Sequence, residues 1–360
     1  MWRWWQHWPT WSGYLATIWS FGYGAAGLYW TLGGAGFPFA PVQANRSTLS
    51  ILEATPVAVV GPVITAVGLL GGILGIVMIR RNGHGNLRRA VLALGWLSAA
   101  VFALAIPDYS ILAIVALSPL LVIFAFTGVP GPQHDVAAIL YWHRLNLVII
   151  FVGGLLWAAA TLAYQRRTRG ACPNCGRADT PGASWTTPEA ARRWGHWAVR
   201  VACLANVPYE ITRVCWYFGV PLGITRDFLY MMQSTPNMLS VGLGLAVAGT
   251  IGSILIHGLT ARWGEVYPRW LWFKAGKPVA PAVAVVPAAL IAIILIPAGL
   301  MNFRIPFSPA SWAVNVPGML WIIWGAALGA AAYAYYLRRR PTCPHCVTIN
   351  TPQPLAVVYR

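Results

Sequence analysis

Charge is what this chain most lacks. Eight Asp and Glu residues serve 360 positions, and only 9% of the chain is charged, whereas a soluble domain carries roughly 25%. So little polarity cannot coat the surface of a water-soluble fold of this size. The short motifs of the commonest enzyme classes are missing too: there is no nucleophile elbow, no glycine-rich phosphate loop and no HExxH pair. Cysteine is scarce, and four of the six cysteines fall in two CxxC pairs.

In place of charge the chain has long apolar runs. Hydrophobic residues make up 58% of it, and the mean hydropathy is +0.61. Stretches such as 55–79, 238–258 and 280–300 match the roughly 20 residues needed to cross a hydrocarbon core. The sequence therefore reads as an all-α, polytopic transmembrane helix bundle whose first partner is the lipid bilayer. A net charge of +17 is compatible with nucleic-acid binding, but the cations sit in short segments between apolar runs. These are Arg80, Arg81, Arg88 and Arg89; Arg166, Arg167 and Arg169; Arg262, Arg269, Lys274 and Lys277; and Arg338, Arg339 and Arg340. That is the positive-inside pattern of cytoplasmic loops, and no nucleic-acid partner is expected. The opening "MWRWWQHWPTW" lacks the basic stretch and short apolar core of a cleavable leader. Its five tryptophans read as an interfacial belt at headgroup depth.

Self-similarity organises the rest. "YGAAGLYWTLGGAGFP" matches "YEITRVCWYFGVPLGI", placing Tyr23 on Tyr209 and Trp30 on Trp216. "LEATP" matches "MQSTP", placing Glu53 on Gln233. "GGLLWAAATLAYQRRTRGACPNC" matches "WGAALGAAAYAYYLRRRPTCPHC", placing Cys172 on Cys343. Three matches in one order predict two tandem four-helix repeats. The first occupies 1–170, followed by a linker with a CPNC knuckle at 171–192. The second occupies 193–340, followed by a tail with a CPHC knuckle at 341–360. Spans are expected near 12–33, 55–79, 89–106 and 143–165, then 194–218, 237–260, 279–300 and 314–337. With both termini cytoplasmic, all the basic clusters and both knuckles share the cytoplasmic face. An extra apolar segment, 109–126, has no counterpart in the second repeat and is expected to be re-entrant or surface-lying, with a ninth span as the alternative. Small residues four apart, Gly68 with Gly72 and Gly71 with Gly75, and Gly244 with Ala248 and Gly252, let helices approach closely in lipid. They predict that the second spans of the two repeats pair at the centre.

The knuckles carry the clearest chemistry. Two thiolates two residues apart can share one ion, but a closed structural zinc site takes four ligands. The duplication supplies the other pair at the same face. The expected site is one zinc on Cys172, Cys175, Cys343 and Cys346, clipping the repeats together across a long loop. The alternative is a pair of redox-active CxxC dithiols. His345 is expected to be a spectator, and Cys203 and Cys215 ordinary core residues.

Ionisable groups in or beside membrane spans are functional candidates by default. Glu210 and Arg213, three residues apart, are expected to neutralise each other. Pro208 just before them is expected to kink or open the helix. Such a helix resembles the discontinuous segments that bind solutes in transporters. The candidate ligand-binding set is Tyr23, Trp30, Glu53, Tyr209, Glu210, Arg213, Trp216 and Gln233. Its alternative reading is a structural staple, with Glu53 favouring a helix amino terminus. His143 and His257 have no matching partner, so neither haem nor quinone is supported. Asn45-Arg46-Ser47 forms a glycosylation sequon.

"LYWTLGGAGFPF", "RWGEVYPRW" and "WGAALGAAAYAYYLRRR" resemble a family of uncharacterised actinobacterial tandem-repeat polytopic membrane proteins, in which a tryptophan precedes a Gly-Gly or Gly-Val pair. The resemblance implies a plasma-membrane location and brings no activity or site residues with it. The functional expectation is a non-enzymatic, transporter-like or accessory subunit held by zinc, with a second copy or another membrane protein as partner. Membrane thiol-disulfide oxidoreduction is the alternative.

Overall fold

The computed structural model describes residues 7–42, 49–115, 140–177, 183–269 and 272–340, together with Cys343 and Cys346. Most of the expected extra segment (116–126), the sequon and His345 lie outside the described residues.

Among those residues the long elements are all helical. In the first half they are α1 (Trp8–Thr31), α2 (Val57–Arg80), α3 (Gly85–Ala100), which runs on through a π turn (Val101–Ala105), and α4 (Trp142–Arg167). The second half has α5 (Pro188–Tyr217), the short α6 (Arg226–Ser234), α7 (Met238–His257), α8 (Pro281–Leu300), the single turn α9 (Val316–Met319) and α10 (Trp321–Arg338). Six helical stretches are long and apolar enough to cross a membrane: α2, α3 with its π turn, α4, α7, α8 and α9–α10. The other two expected spans, α1 and α5, have 24 and 30 residues. They reach spanning length, but hydroxyl, glycine and aromatic residues in α1 and charged residues in α5 dilute their hydropathy.

Burial identifies the solvent. Only 17% of the apolar window of α7 and 28% of that of α2 is covered inside the protein. Val59, Leu70, Ile73, Ile251, Ile254 and Leu255 are exposed. An apolar face this large in water would be an aggregation surface; against acyl chains it is simply solvated.

Within the first half α1 packs on α2 and α4, and α3 packs on α4. Within the second, α5 packs on α7 and α10, and α8 packs on α10. The two halves meet where the π turn lies against α8, and Ile294 of α8 enters the apolar cluster around Trp30, Ile64 and Ile150.

The glycine stripe of α2 does not serve the expected pairing of second spans. A Cβ on Gly68 would stand 2.7 Å from Gly24 N and 2.7 Å from Ser20 O. Those on Gly72 and Gly75 would strike Phe21 and Thr17. All of these partners belong to α1, so the stripe seats α1 inside its own half. In α7, Gly249 faces Asn206 of α5, whereas Gly244 has nothing nearby. Small residues at four-residue spacing mark a face for close approach; they do not say which helix arrives.

Pro208 leaves α5 continuous from Pro188 to Tyr217. The expected opening of that helix is absent, and Thr212 Oγ1 donates to the Pro208 carbonyl at 3.0 Å.

Helix direction sorts the basic residues. Arg167 closes α4 onto the end of α2 by donating to the Met78 carbonyl and to Asn82 Oδ1 (2.9 Å). Arg88 at the start of α3 donates to Thr168 Oγ1 at 2.9 Å. In the second half Arg338 pairs with Glu265 at 2.9 Å, and Arg339 donates to the Val279 carbonyl at 3.1 Å. Arg88 and Arg167 of the first half and Arg338 and Arg339 of the second thus lie at the end of the bundle where the two knuckles meet.

Candidate metal centre

The first knuckle follows α4 without slack. Gly170, at φ +68°, turns the chain away from the helix. The Cys172 N–H then donates to the Arg177 carbonyl at 2.8 Å, and the Gly176 N–H to the Cys172 carbonyl at 2.7 Å. Gly176 sits at φ +73°, a conformation that glycine adopts without steric cost. Its missing Cβ would lie 3.0 Å from Arg166 Nε. Arg166 reaches back from α4 to donate to the Pro173 and Asn174 carbonyls at 3.0 and 2.7 Å, and its guanidinium lies 5.4 Å from the ring of Trp8. The loop is therefore built on α4 and braced by α1.

The second knuckle arrives on top of it. Cys172 Sγ and Cys343 Sγ are 4.0 Å apart, and Cys175 Sγ and Cys346 Sγ are 3.4 Å apart. All four sulfurs lie within 4.8 Å of one another, and Cys175 and Cys343 are buried. Zinc–sulfur bonds of about 2.3 Å in a tetrahedron require sulfurs about 3.8 Å apart, which the two measured separations bracket. The Arg177 N–H points at Cys175 Sγ from 3.5 Å, a donor that favours thiolate. Four convergent thiols with an amide donor form a site that could hold a metal ion.

Their acidities diverge. Burial pushes Cys172 up, but N–H groups of Cys175 and Asn174 and the neighbouring thiols outweigh it and bring it down to about 7. Cys346 moves the other way, up to about 12, first through its hydrogen bond to Cys175. Close packing lets one thiolate form easily and resists the rest, and a divalent cation would relieve that resistance.

The other candidate residues fall into separate clusters. Tyr23 and Trp30 belong to the first half: Tyr23 Oη donates to buried Asn146 at 2.9 Å and stacks on Trp19, and Trp30 is buried edge-on beside it. Glu53 precedes α2 by a full turn and accepts from the Leu49 N–H, so it folds the loop and does not cap the helix. Gln233 is exposed on α6.

Glu210 and Arg213 do not pair. The Glu210 carboxylate accepts from Asn206 Nδ2 at 2.6 Å. Arg213 instead lies between two rings, 4.5 Å from the centroid of Tyr209 and 4.0 Å from that of Trp216. Spacing alone permitted either partner. An aromatic four residues before and three after an arginine shares its helix face, and that signal in "YEITRVCW" carries the sandwich. Cys203 donates to the Ser253 carbonyl (3.6 Å), and Cys215 packs beside Leu229 and Met232, as core residues would.

At the end away from the knuckles lies a further ionisable group beside a span, of the kind the sequence marks as a functional candidate. Asp108 is fully buried, accepting from the Ser110 N–H at 2.8 Å through Oδ1 while Oδ2 finds no hydrogen-bond partner. Burial pushes its carboxyl up to about 6, against the pull of the Ser110 donor and Arg144. Arg304 ties the two halves there, donating to the Leu49 and Ala105 carbonyls at 2.7 and 2.8 Å. No known family, curated protein or solved structure matches this chain.

Proposed function

We propose that this protein is a multi-pass membrane protein built from two homologous four-helix units, clipped at the cytoplasmic face by a structural zinc on Cys172, Cys175, Cys343 and Cys346. The convergence of four sulfurs from knuckles 171 positions apart carries the reading. Zinc is favoured over harder cations because every donor is a thiol. It would supply cohesion between units at the point where each has just emerged from its last helix.

Duplication is supported by the recurrence of the same three packings: first helix on second, third on fourth and first on fourth, in both halves. A polar residue of the first helix also faces a glycine of the second in each, Ser20 with Gly71 and Asn206 with Gly249. Basic loops at the knuckle end support a cytoplasmic orientation, and with it a reducing compartment for the thiols. On this reading α1 and α5 also cross the bilayer, giving eight spans. The protein acts as a transporter-like or accessory subunit, with its ligand chemistry at the end opposite the clip.

One observation favours thiol-disulfide exchange instead: the lowered pKa of Cys172, which a nucleophilic thiol would need. The variant Cys172→Ser separates the two. A structural zinc site predicts a lower melting temperature in detergent, and a chelator should reproduce this loss in the wild type while leaving the variant unmoved. A redox pair predicts an unchanged melting temperature and loss of disulfide exchange with a model thiol.

A further inference from the structure

Arg213 poses an electrostatic problem that the protein's own residues leave unsolved. It sits mid-face on α5, near the end away from the knuckles, and its Nη1 is buried with no hydrogen-bond partner. No salt bridge to this guanidinium is found among the described residues; those of Glu265 go to Arg338 and Arg339. Glu210, the acid nearest in sequence, is occupied by Asn206. The rings of Tyr209 and Trp216 stabilise the cation from its faces, and Tyr209 also takes a side-chain hydrogen bond from it, but Nη1 is left without an acceptor. A buried cation left this way is costly unless an anion joins it.

The space beside it fits such an anion. Arg213 forms one wall of a half-open cavity of about 190 Å³ whose other walls include Phe228, Met232, Met238, Leu239 and Val314. The roof is α6, capped by Thr225 Oγ1. Gly223 pins it, because its carbonyl accepts from the Ala313 N–H at 3.0 Å and any Cβ there would strike Ala313 and Trp312. The rest of the lining is apolar, flexible methionine and branched side chains. The volume is below the roughly 300–1,000 Å³ of a pocket that encloses a drug-sized ligand. It admits a head and the first part of a chain, and the remainder must leave through the opening. Met238, Leu239 and Gly242 of α7 form one wall, and Val241 and Leu245 on the same helix are exposed and apolar.

We infer that the second half binds a lipid-like anion, its carboxylate or phosphate head on Arg213 and its acyl chain in the cavity under α6, running out along α7. A soluble polar solute would leave the methionine wall unused, and a neutral lipid would leave Arg213 unpaired. The site deepens the ligand-binding role proposed above. It lies at the opposite end from the cysteines, so loss of metal and loss of lipid are separate observations.

The test uses the full-length protein in detergent with tritiated palmitate and tritiated dioleoyl phosphatidate, and hexadecanol as an uncharged competitor. The two anionic probes distinguish a free fatty acid from a phospholipid as the source of the head. Saturable binding of at least one is expected, with no displacement by hexadecanol. Arg213→Gln should weaken it about tenfold or more, the loss of a charge-assisted contact. Gly242→Leu provides a route that keeps the charge. Its Cβ would stand 3.5 Å from Arg213 Cδ, an ordinary contact, while the added side chain fills the cavity. It should also lose binding, whereas Arg226→Gln on the exposed end of α6 should not. Binding of neither anion, equal competition by hexadecanol, or wild-type binding by a folded Gly242→Leu protein would overturn the inference.

Discussion

Substituting Gly68 by alanine tests the packing of α1 on α2 most sharply. The new Cβ would be 2.7 Å from both Gly24 N and Ser20 O, and closer still to Gly24 Cα. Carbon needs about 3.5–4.0 Å of separation, and all three obstacles are backbone atoms that no rotamer change can move. The helices must therefore part by about 1 Å along the crossing, loosening the neighbouring contacts of Gly72 and Gly75 as well. Overpacking of this kind costs about 1–3 kcal/mol, set against the roughly 1 kcal/mol that alanine gains over glycine inside a helix. Gly244→Ala is the matched control, since nothing lies within 4 Å of its Cβ, and only the propensity gain remains. Thermal unfolding of both variants in one detergent should move in opposite directions, Gly68→Ala down and Gly244→Ala level or up. If Gly68→Ala melts at or above the wild-type temperature, the glycine stripe does not seat α1, and the pairing of second spans regains its place.

Three further outcomes follow from the polar groups. Asp108 is raised from 3.8 to about 6, so the folded protein holds its proton more tightly than the unfolded chain does. Stability from this group is greatest below about pH 4, falls between pH 4 and pH 6, and is level above that, a loss on the order of 3 kcal/mol. Asp108→Asn should flatten that slope in pH-dependent melting and melt higher than wild type at pH 7.5; an unchanged slope would show that Asp108 is solvated. Glu265→Gln removes the partner of Arg338, at 2.9 Å, and the weaker contact with Arg339 at 4.0 Å. The acid is one-third exposed, which limits the loss to about 1–2 kcal/mol, measured as a lower melting temperature that 1 M salt barely changes. Arg166→Ala takes away both carbonyl contacts that brace the first knuckle and should weaken metal retention against a chelator several-fold while leaving one ion bound at saturation.

Much of this architecture was legible because membranes impose long apolar periods. Every expected span coincides with a helix, and aligning the two halves of the sequence sets Cys172 on Cys343, whose sulfurs lie 4.0 Å apart in the fold. What stayed hidden shares one cause: spacing along a helix says which residues share a face, and not what meets that face. The stripe of Gly68, Gly72 and Gly75 marked a close approach but could not say that α1 makes it. The three-residue step from Glu210 to Arg213 allowed an ion pair, while the rings of Tyr209 and Trp216 on the same face offered the cation a partner without stretching the arginine. Glu53 looked like a helix opener because Thr-Pro follows it, yet its carboxylate closes a turn on Leu49. The cavity was harder still, since Met232, Leu239 and Val314 come from three segments and only folding brings them around Arg213. Its one sequence trace is Phe228 and Met232, four residues apart in the amphipathic run "RDFLYMMQS".

Metal content tests the four-cysteine clip most directly. Inductively coupled plasma mass spectrometry on the detergent-purified protein, with free thiols counted in parallel, should find about one zinc per chain. Cys343→Ser should abolish it. No metal in the wild type, with the knuckle thiols oxidised in pairs, would contradict the account and assign the four cysteines to redox chemistry.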